Sequence, residues 1–471
     1  MATFIAVLCV IAIVICVPLV FLRPKWVFYI FLISTVFHSV LASYIYSAGN
    51  LGMPRTWAPA DILAWLTLAA ALFVRRQRQY PSGVIGKCFV VIAILTALAL
   101  IQGLLMYTQT AFTHSRVAHF AAAMIFGLRY FTNFSRVNRF LKFSVFLLLV
   151  MFGVHILVRF GVFTPRVAEI EVSTQLGGER GTYTLVPLLY LSLVSIAIGR
   201  LVSKVGLSVI SILMIMVGIC GIILSETRSM YGAMGVLAIA SLLFIKGRIR
   251  TMAAFGIVSI LAIGATSVIG FDFLERFRAG STRTGNIEIP KPFQKGTWRA
   301  LENEIIISSY KQEPYFILTG RGIGALHPAP AGKSPLVGFY HSEYLGWLDR
   351  SGLLGLATVL ILIFAILVRS FALSRSDIPY MRYYGTTSFL LMLALTADGF
   401  FHPIFSNPRG APLLICFAAI IANWQDIYVS LYQEDDVFEE EESFEEEEPY
   451  PELSYAHNDN YIESNPEYFA Y

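Results

Sequence analysis

Near residue 340 the chain reads FYHSEYLGWLDRSGLLGL, so His341 and Glu343 close a long polar stretch just before a hydrophobic run from Leu345 to Val368. A histidine at the start of a helix sits at the positive end of the helix dipole, which favours the neutral imidazole. A neutral imidazole is what a general base needs near pH 7. Four arginines fall in comparable places: Arg180 in GGERGTYTLVPLLYL, Arg228 in ILSETRSMYGAMG, and Arg299 and Arg321 in the polar stretch itself. Guanidinium forks match phosphate oxygens bidentately and keep their charge, so several together suit a lipid diphosphate headgroup. A histidine base beside such a set suggests transfer away from a phosphorylated leaving group. Each residue alone also has a plainer use: an arginine can anchor at the interface or pair with Glu179 or Glu226, and a histidine can bond a headgroup or a carbonyl. The glycines of TGRGIGA would let backbone approach a bulky ligand, although no strand–helix context makes this a nucleotide loop.

The elements that must carry these residues are membrane helices. Of the 471 residues 56% are hydrophobic and 14% charged, with a mean hydropathy of +0.66. Soluble domains carry about one quarter charged residues. Apolar runs near 3–22, 26–47, 58–74, 86–107, 117–133, 141–162, 183–199, 205–224, 229–246, 251–271, 345–368, 383–401 and 410–430 give 13 expected spans, each near the ~20 residues that cross a bilayer. Arg129 interrupts the run at 117–133. The first run has no basic residues before it and no small-residue cleavage site, so it is expected to be a retained helix. The five cysteines lie in or beside apolar runs without metal or redox spacing, and are expected to pack.

Short connections set the orientation. One alternating set holds 18 Lys and Arg and the other seven, leaving the longest loop aside. The first set is expected to be cytoplasmic, which puts the polar segment 272–344 outside. That segment is long enough to be functional, and apolar spacing at Trp298, Leu301, Ile305 and Ile306 predicts an amphipathic helix on the membrane surface. The expected organisation is 1–271 transmembrane, 272–344 extracytoplasmic loop, 345–430 transmembrane and 431–471 a disordered acidic tail. Residues 1–430 carry a net +19, whereas 431–471 hold 15 Asp and Glu and no Lys or Arg. The tail is expected to be a solvated appendage inside the cell, with partner recruitment as the alternative.

HSEYLGWLDRSGLLGL resembles the histidine-and-helix motif of the bacterial O-antigen ligase and polysaccharide polymerase superfamily, His-Asn/Ser-x-x-Leu followed by Gly-x-x-Gly-Leu. RALENEIIISSYKQEPYFILTGRGIGA, SETRSMYGAMG and RGTYTLVPLLYL are similar to three further segments of that family, in the family's order, over roughly residues 175–370. Ser342 stands where Asn is commoner, and Asn303 where an aromatic usually follows the loop arginine, which makes Arg283 the fallback for Arg299. The resemblance implies an all-α, polytopic, GT-C-like membrane protein of about 12–13 helices with one large extracytoplasmic loop, in the bacterial inner membrane with its site facing the periplasm. It implies a metal-independent, inverting glycosyltransferase without a cofactor, moving a glycan from undecaprenyl diphosphate to an acceptor hydroxyl in surface polysaccharide (exopolysaccharide or lipopolysaccharide) synthesis. His341 would be the base, Arg228 and Arg299 would hold the diphosphate, and Arg180 would support them. Arg321 is a further diphosphate candidate without a family counterpart. The partners would be the lipid-linked donor, a glycan or lipid A core acceptor, membrane lipids and, through the tail, polysaccharide-export proteins, with no nucleic acid. A flippase or other transporter of lipid-linked glycans is the competing reading, which expects polar residues at mid-membrane and no large outer loop. Asp61 and Asp398 are the acidic residues expected to be buried near the membrane. A scaffold recruiting partners by its tail would leave the loop unexplained.

Overall fold

Backbone inside a bilayer has no water to bond, so apolar runs are driven into helices. The computed structural model describes residues 2–37, 41, 59–75, 79–108, 111, 118–159, 186–225, 228–244, 306–327, 336–337, 342–400, 404 and 410–443. They form α1 (Ala2–Leu22), α2 (Pro24–Val36), α3 (Pro59–Phe73), α4 (Gly83–Tyr107), α5 (Ala118–Tyr130), α6 (Phe134–Arg159), α7 (Val186–Ser203), α8 (Ser208–Leu224) and α9 (Arg228–Ser241). A helical stretch over 306–312 precedes the short α10 (Phe316–Thr319). Then come α11 (Glu343–Ser374), α12 (Pro379–Asp398), α13 (Ala411–Ala422) and α14 (Trp424–Ser443). The strand content among the described residues is one two-residue antiparallel pair, Leu326–His327 against Leu336–Val337.

Among the described residues, three helices are long and apolar enough to cross a bilayer: α4, most of α6 (Phe134–Leu157) and most of α11 (Glu343–Leu373). Large apolar side chains on the outside, among them Val14, Leu105, Phe146, Ile239 and Phe364, are more than half exposed. An apolar girdle of that extent is a surface for lipid. The protein is an all-α membrane protein. The other expected spans correspond to shorter described helices, and the run at 251–271 lies outside the described residues.

All twelve residues of α13 are buried, as expected of a helix that is apolar on every side. Around it pack α5, α12, α11, α4, α2 and α7. Helices α3 and α5 run parallel: Asp61 Oδ1 lies 2.9 Å from His119 Nε2 at their starts, and Arg129 donates to the carbonyl of Ala71 at their ends. Arg129 therefore sits in the last turn of α5, where a cation meets the negative end of the dipole. It ends the helix and does not interrupt it.

The run expected as one span over 410–430 is broken. Helices α13 and α14 meet at 70°, because polar groups tie the chain down at the junction. Asn423 Nδ2 donates to Leu128 O (3.0 Å), Arg369 lies over the Trp424 ring, and Asp426 Oδ1 accepts from the amides of Gln79 (2.8 Å) and Tyr80 (2.9 Å). Ser430 then receives the amide of Phe134 at the start of α6 (2.8 Å). The tail, expected to be disordered from 431, is helical to Ser443. Glu and Gln are good helix formers, and Tyr428 and Tyr432, one turn apart, meet edge to face with ring centres 5.1 Å apart. Residues 444–471 lie outside the described residues.

Candidate functional site

The chain enters α11 at Ser342, which has extended dihedrals (φ −102°, ψ 128°). The first turns of α11 are fastened unusually well for a helix start. Glu343 is 1% exposed, and its carboxylate accepts from the Trp347 indole N–H and from the amide of Ile404. The amide of Glu343 donates to Gly399 O beyond the end of α12 (2.9 Å). A buried carboxylate persists only when its oxygens are met, and here they join two separate segments. The Trp347 ring in turn touches Phe120 near the start of α5, one residue from the buried pair formed by His119 and Asp61.

Helix α11 is one hydrophobic run in the sequence, but it breaks at Gly352, where φ is 66° and ψ −165°. The first segment, EYLGWLDRS, carries the polar residues and the second crosses the apolar layer. The break frees carbonyls that must be paired. The TGRGIGA segment supplies the donors: Arg321 N bonds Asp349 O (2.6 Å) and Gly322 N bonds Arg350 O (3.2 Å). The same segment is held to α4 by Ile323 N donating to Ala99 O (2.9 Å) and by Gln102 Nε2 donating to Gly320 O (3.1 Å). A Cβ built on Gly103 would stand 2.0 Å from Ile323 O. The close backbone approach expected of these glycines is present, with two helices of the protein as its partner.

Beneath this contact lies a buried polar cluster that the residue pattern alone did not reveal. Asp349 is fully buried; its Oδ1 accepts from Tyr310 Oη (3.1 Å) and its Oδ2 lies 3.1 Å from His327 Nε2. Burial first, and the Asp349 charge second, push the Tyr310 phenol far above the usual tyrosine range, so it remains a donor at physiological pH. The three residues are 22 and 39 positions apart along the chain, and no local motif links them. Asp349→Asn should keep the shape but lose one charged acceptor, costing about 1–3 kcal/mol; thermal unfolding in detergent would read the shift.

The expected amphipathic helix is described from 306 to 312. Within this part Ile306 and Tyr310 cluster with Phe316 and meet Leu345 and Leu348 of α11; Trp298, Leu301 and Ile305 lie outside the described residues.

Of the residues expected to act, Arg321 is described with its side chain. It is 7% exposed, and its guanidinium donates to Glu313 (2.7 Å) and Ser309 O (3.2 Å) and lies over the Phe316 ring. A diphosphate would have to compete with Glu313 for it. Arg228 opens α9, with its side chain outside the described residues. His341, Arg180, Arg299 and Arg283 lie outside them altogether. Asp61 and Asp398 are buried or nearly so, as expected; Glu343, Asp349 and Asp426 join them.

The contacts divide the molecule into two ends. Arg23, Lys25, Arg75, Arg136 and Arg139 gather at one end, with the Ala71–Arg129 contact. The start of α11, residues 306–327 and the Asp61–His119 pair gather at the other. No protein-family model matches the chain, and neither does any curated protein.

Proposed function

We propose that the protein is a glycosyltransferase that takes a glycan from undecaprenyl diphosphate and joins it to an acceptor hydroxyl at the outer face of the bacterial inner membrane, as a surface polysaccharide polymerase or O-antigen ligase. The observation that carries the proposal is the fastening of the first segment of α11. Glu343 clamps its first turn to Gly399 and Ile404, and the Asp349 cluster clamps its last turn to the RGIGA segment. Pre-organisation of that kind is what a site gains from when it must hold a base in line with a reacting hydroxyl. The residue that adjoins this clamp is His341.

In the proposed step His341 takes the proton of the acceptor hydroxyl as its oxygen bonds to the anomeric carbon. The bond from that carbon to the diphosphate oxygen breaks, the electron pair leaves with the diphosphate, and the anomeric centre inverts. Arg228 and Arg299, with Arg180 in support, neutralise the charge that develops on the leaving group, where electrostatic help lowers the barrier most. Arg321, already paired with Glu313, serves by fixing the loop. Arg228→Ala should slow transfer by ~10²–10³, the usual cost of one lost transition-state contact. An unchanged rate, measured as undecaprenyl diphosphate released from native donor, would remove Arg228 from the site.

A further inference from the structure

At the opposite end from α11's mouth, the ends of α1, α3 and α5 and the starts of α2 and α6 surround a cavity of about 310 Å3. Its lining is Arg23, Lys25, Arg75, Arg136 and Arg139 with Leu22, Pro24, Val74 and Tyr130. Among the described residues, five cations and no carboxylate line it. A topology signal needs basic residues in a loop; it does not need them drawn from three separate segments around one hollow. The volume exceeds the 10–15 Å3 that one water requires by about twentyfold.

Helix dipoles do not neutralise this charge. Three helix C-termini contribute about −0.5 each and two N-termini about +0.5 each, a net of roughly −0.5 against five cations. Part of the guanidinium capacity is spent internally, since Arg136 Nη1 donates to Tyr130 O (3.4 Å) and Arg139 Nε to Ser135 O (3.2 Å). Even so, the charge around the hollow stays strongly positive.

The apolar surface beside the cavity says what kind of anion fits. Leu72 and Leu22 are 71% and 72% exposed, and Phe21 and Phe73 stack edge-on next to them, ring centres 4.8 Å apart. They flank the basic residues in sequence and lie on the membrane side of them. A free anion would leave this surface uncovered, and so would the acidic tail, which is poor in aliphatic residues.

We infer that this cavity binds the phosphate headgroup of an anionic phospholipid, with its acyl chains laid over Leu22, Leu72 and the Phe21–Phe73 pair. The site is independent of the proposed transfer chemistry. The test uses the full-length protein in neutral detergent, with native mass spectrometry of retained diphosphatidylglycerol. Phosphatidylcholine and inorganic diphosphate are run as separate probes. Arg23→Gln, Arg75→Gln and Arg139→Gln are combined, since all three are exposed on the rim. The control combines Lys142→Gln, Lys204→Asn and Arg375→Gln, exposed basic residues outside the cavity. At about fivefold per cation near a membrane surface, the rim variant should retain diphosphatidylglycerol roughly a hundredfold more weakly than wild type. The control should match wild type, and phosphatidylcholine should be lost on washing. Equal loss in both variants, or none in the rim variant, overturns the site. Inorganic diphosphate held as tightly as the lipid overturns the lipid as its occupant. A full-length protein that takes up lipid only after Glu445, Glu446, Glu447 and Glu448 are changed to Gln overturns it too, in favour of the tail.

Discussion

His341→Ala protein should fold, bind its lipid-linked donor as wild type does, and transfer glycan ~10²–10⁴-fold more slowly, the range that a positioned general base contributes. The loss should appear in kcat, with KM for the donor little changed, because the proton is removed only in the transition state. The acid limb of the wild-type pH–rate profile, where the histidine base takes up its proton, should flatten in the variant. Loss of the clamp around Glu343 would act differently, by lowering stability and raising KM together with the fall in kcat. Full activity in His341→Ala would sink the base role.

The second large effect concerns Gly352, far from any reacting atom. Its φ of 66° belongs to the left-handed region, and a Cβ there would stand 2.1 Å from Leu318 O. Backbone strain of ~1–3 kcal/mol adds to the ~1–3 kcal/mol of forced displacement in a packed site. The sum is a large share of the 5–15 kcal/mol that holds a typical domain together. Gly352→Ala should therefore accumulate poorly and unfold at markedly lower temperature in detergent. Gly232→Ala in α9, where a Cβ meets open space, should be neutral or slightly stabilising. Similar behaviour of the two variants would mean that the break in α11 does not hold the loop.

The sequence made the helices legible because hydrophobic runs of bilayer length have few other solutions. It also marked the two ends through the uneven spread of Lys and Arg, and the cavity lined by Arg23, Lys25, Arg75, Arg136 and Arg139 is where that spread converges. The breaks were harder to read. The turn at Asn423 depends on Leu128 and on the loop at 79–80, partners hundreds of residues away. The break at Gly352 depends on donors from Arg321 and Gly322, although a glycine following a serine inside an apolar run was a usable hint. In the site, His341 and the arginines stood out by chemistry and by resemblance. Asp349 did not, because a carboxylate beside an arginine at a helix start reads as a solvated pair. Only its contacts with Tyr310 and His327 show it to be a buried linchpin between the loop and α11.

The central claim is that this protein consumes a lipid-linked donor. Purified protein in lipid vesicles, supplied with native undecaprenyl-diphosphate glycan and candidate acceptors, tests it most directly by following the donor itself. The expected result is release of undecaprenyl diphosphate with the glycan on a new hydroxyl: lengthening lipid-linked chains for a polymerase, or a modified lipid A core for a ligase, both lost in His341→Ala. Donor that crosses from one leaflet to the other intact, with no diphosphate released under any acceptor, would contradict the account and make the protein a transporter.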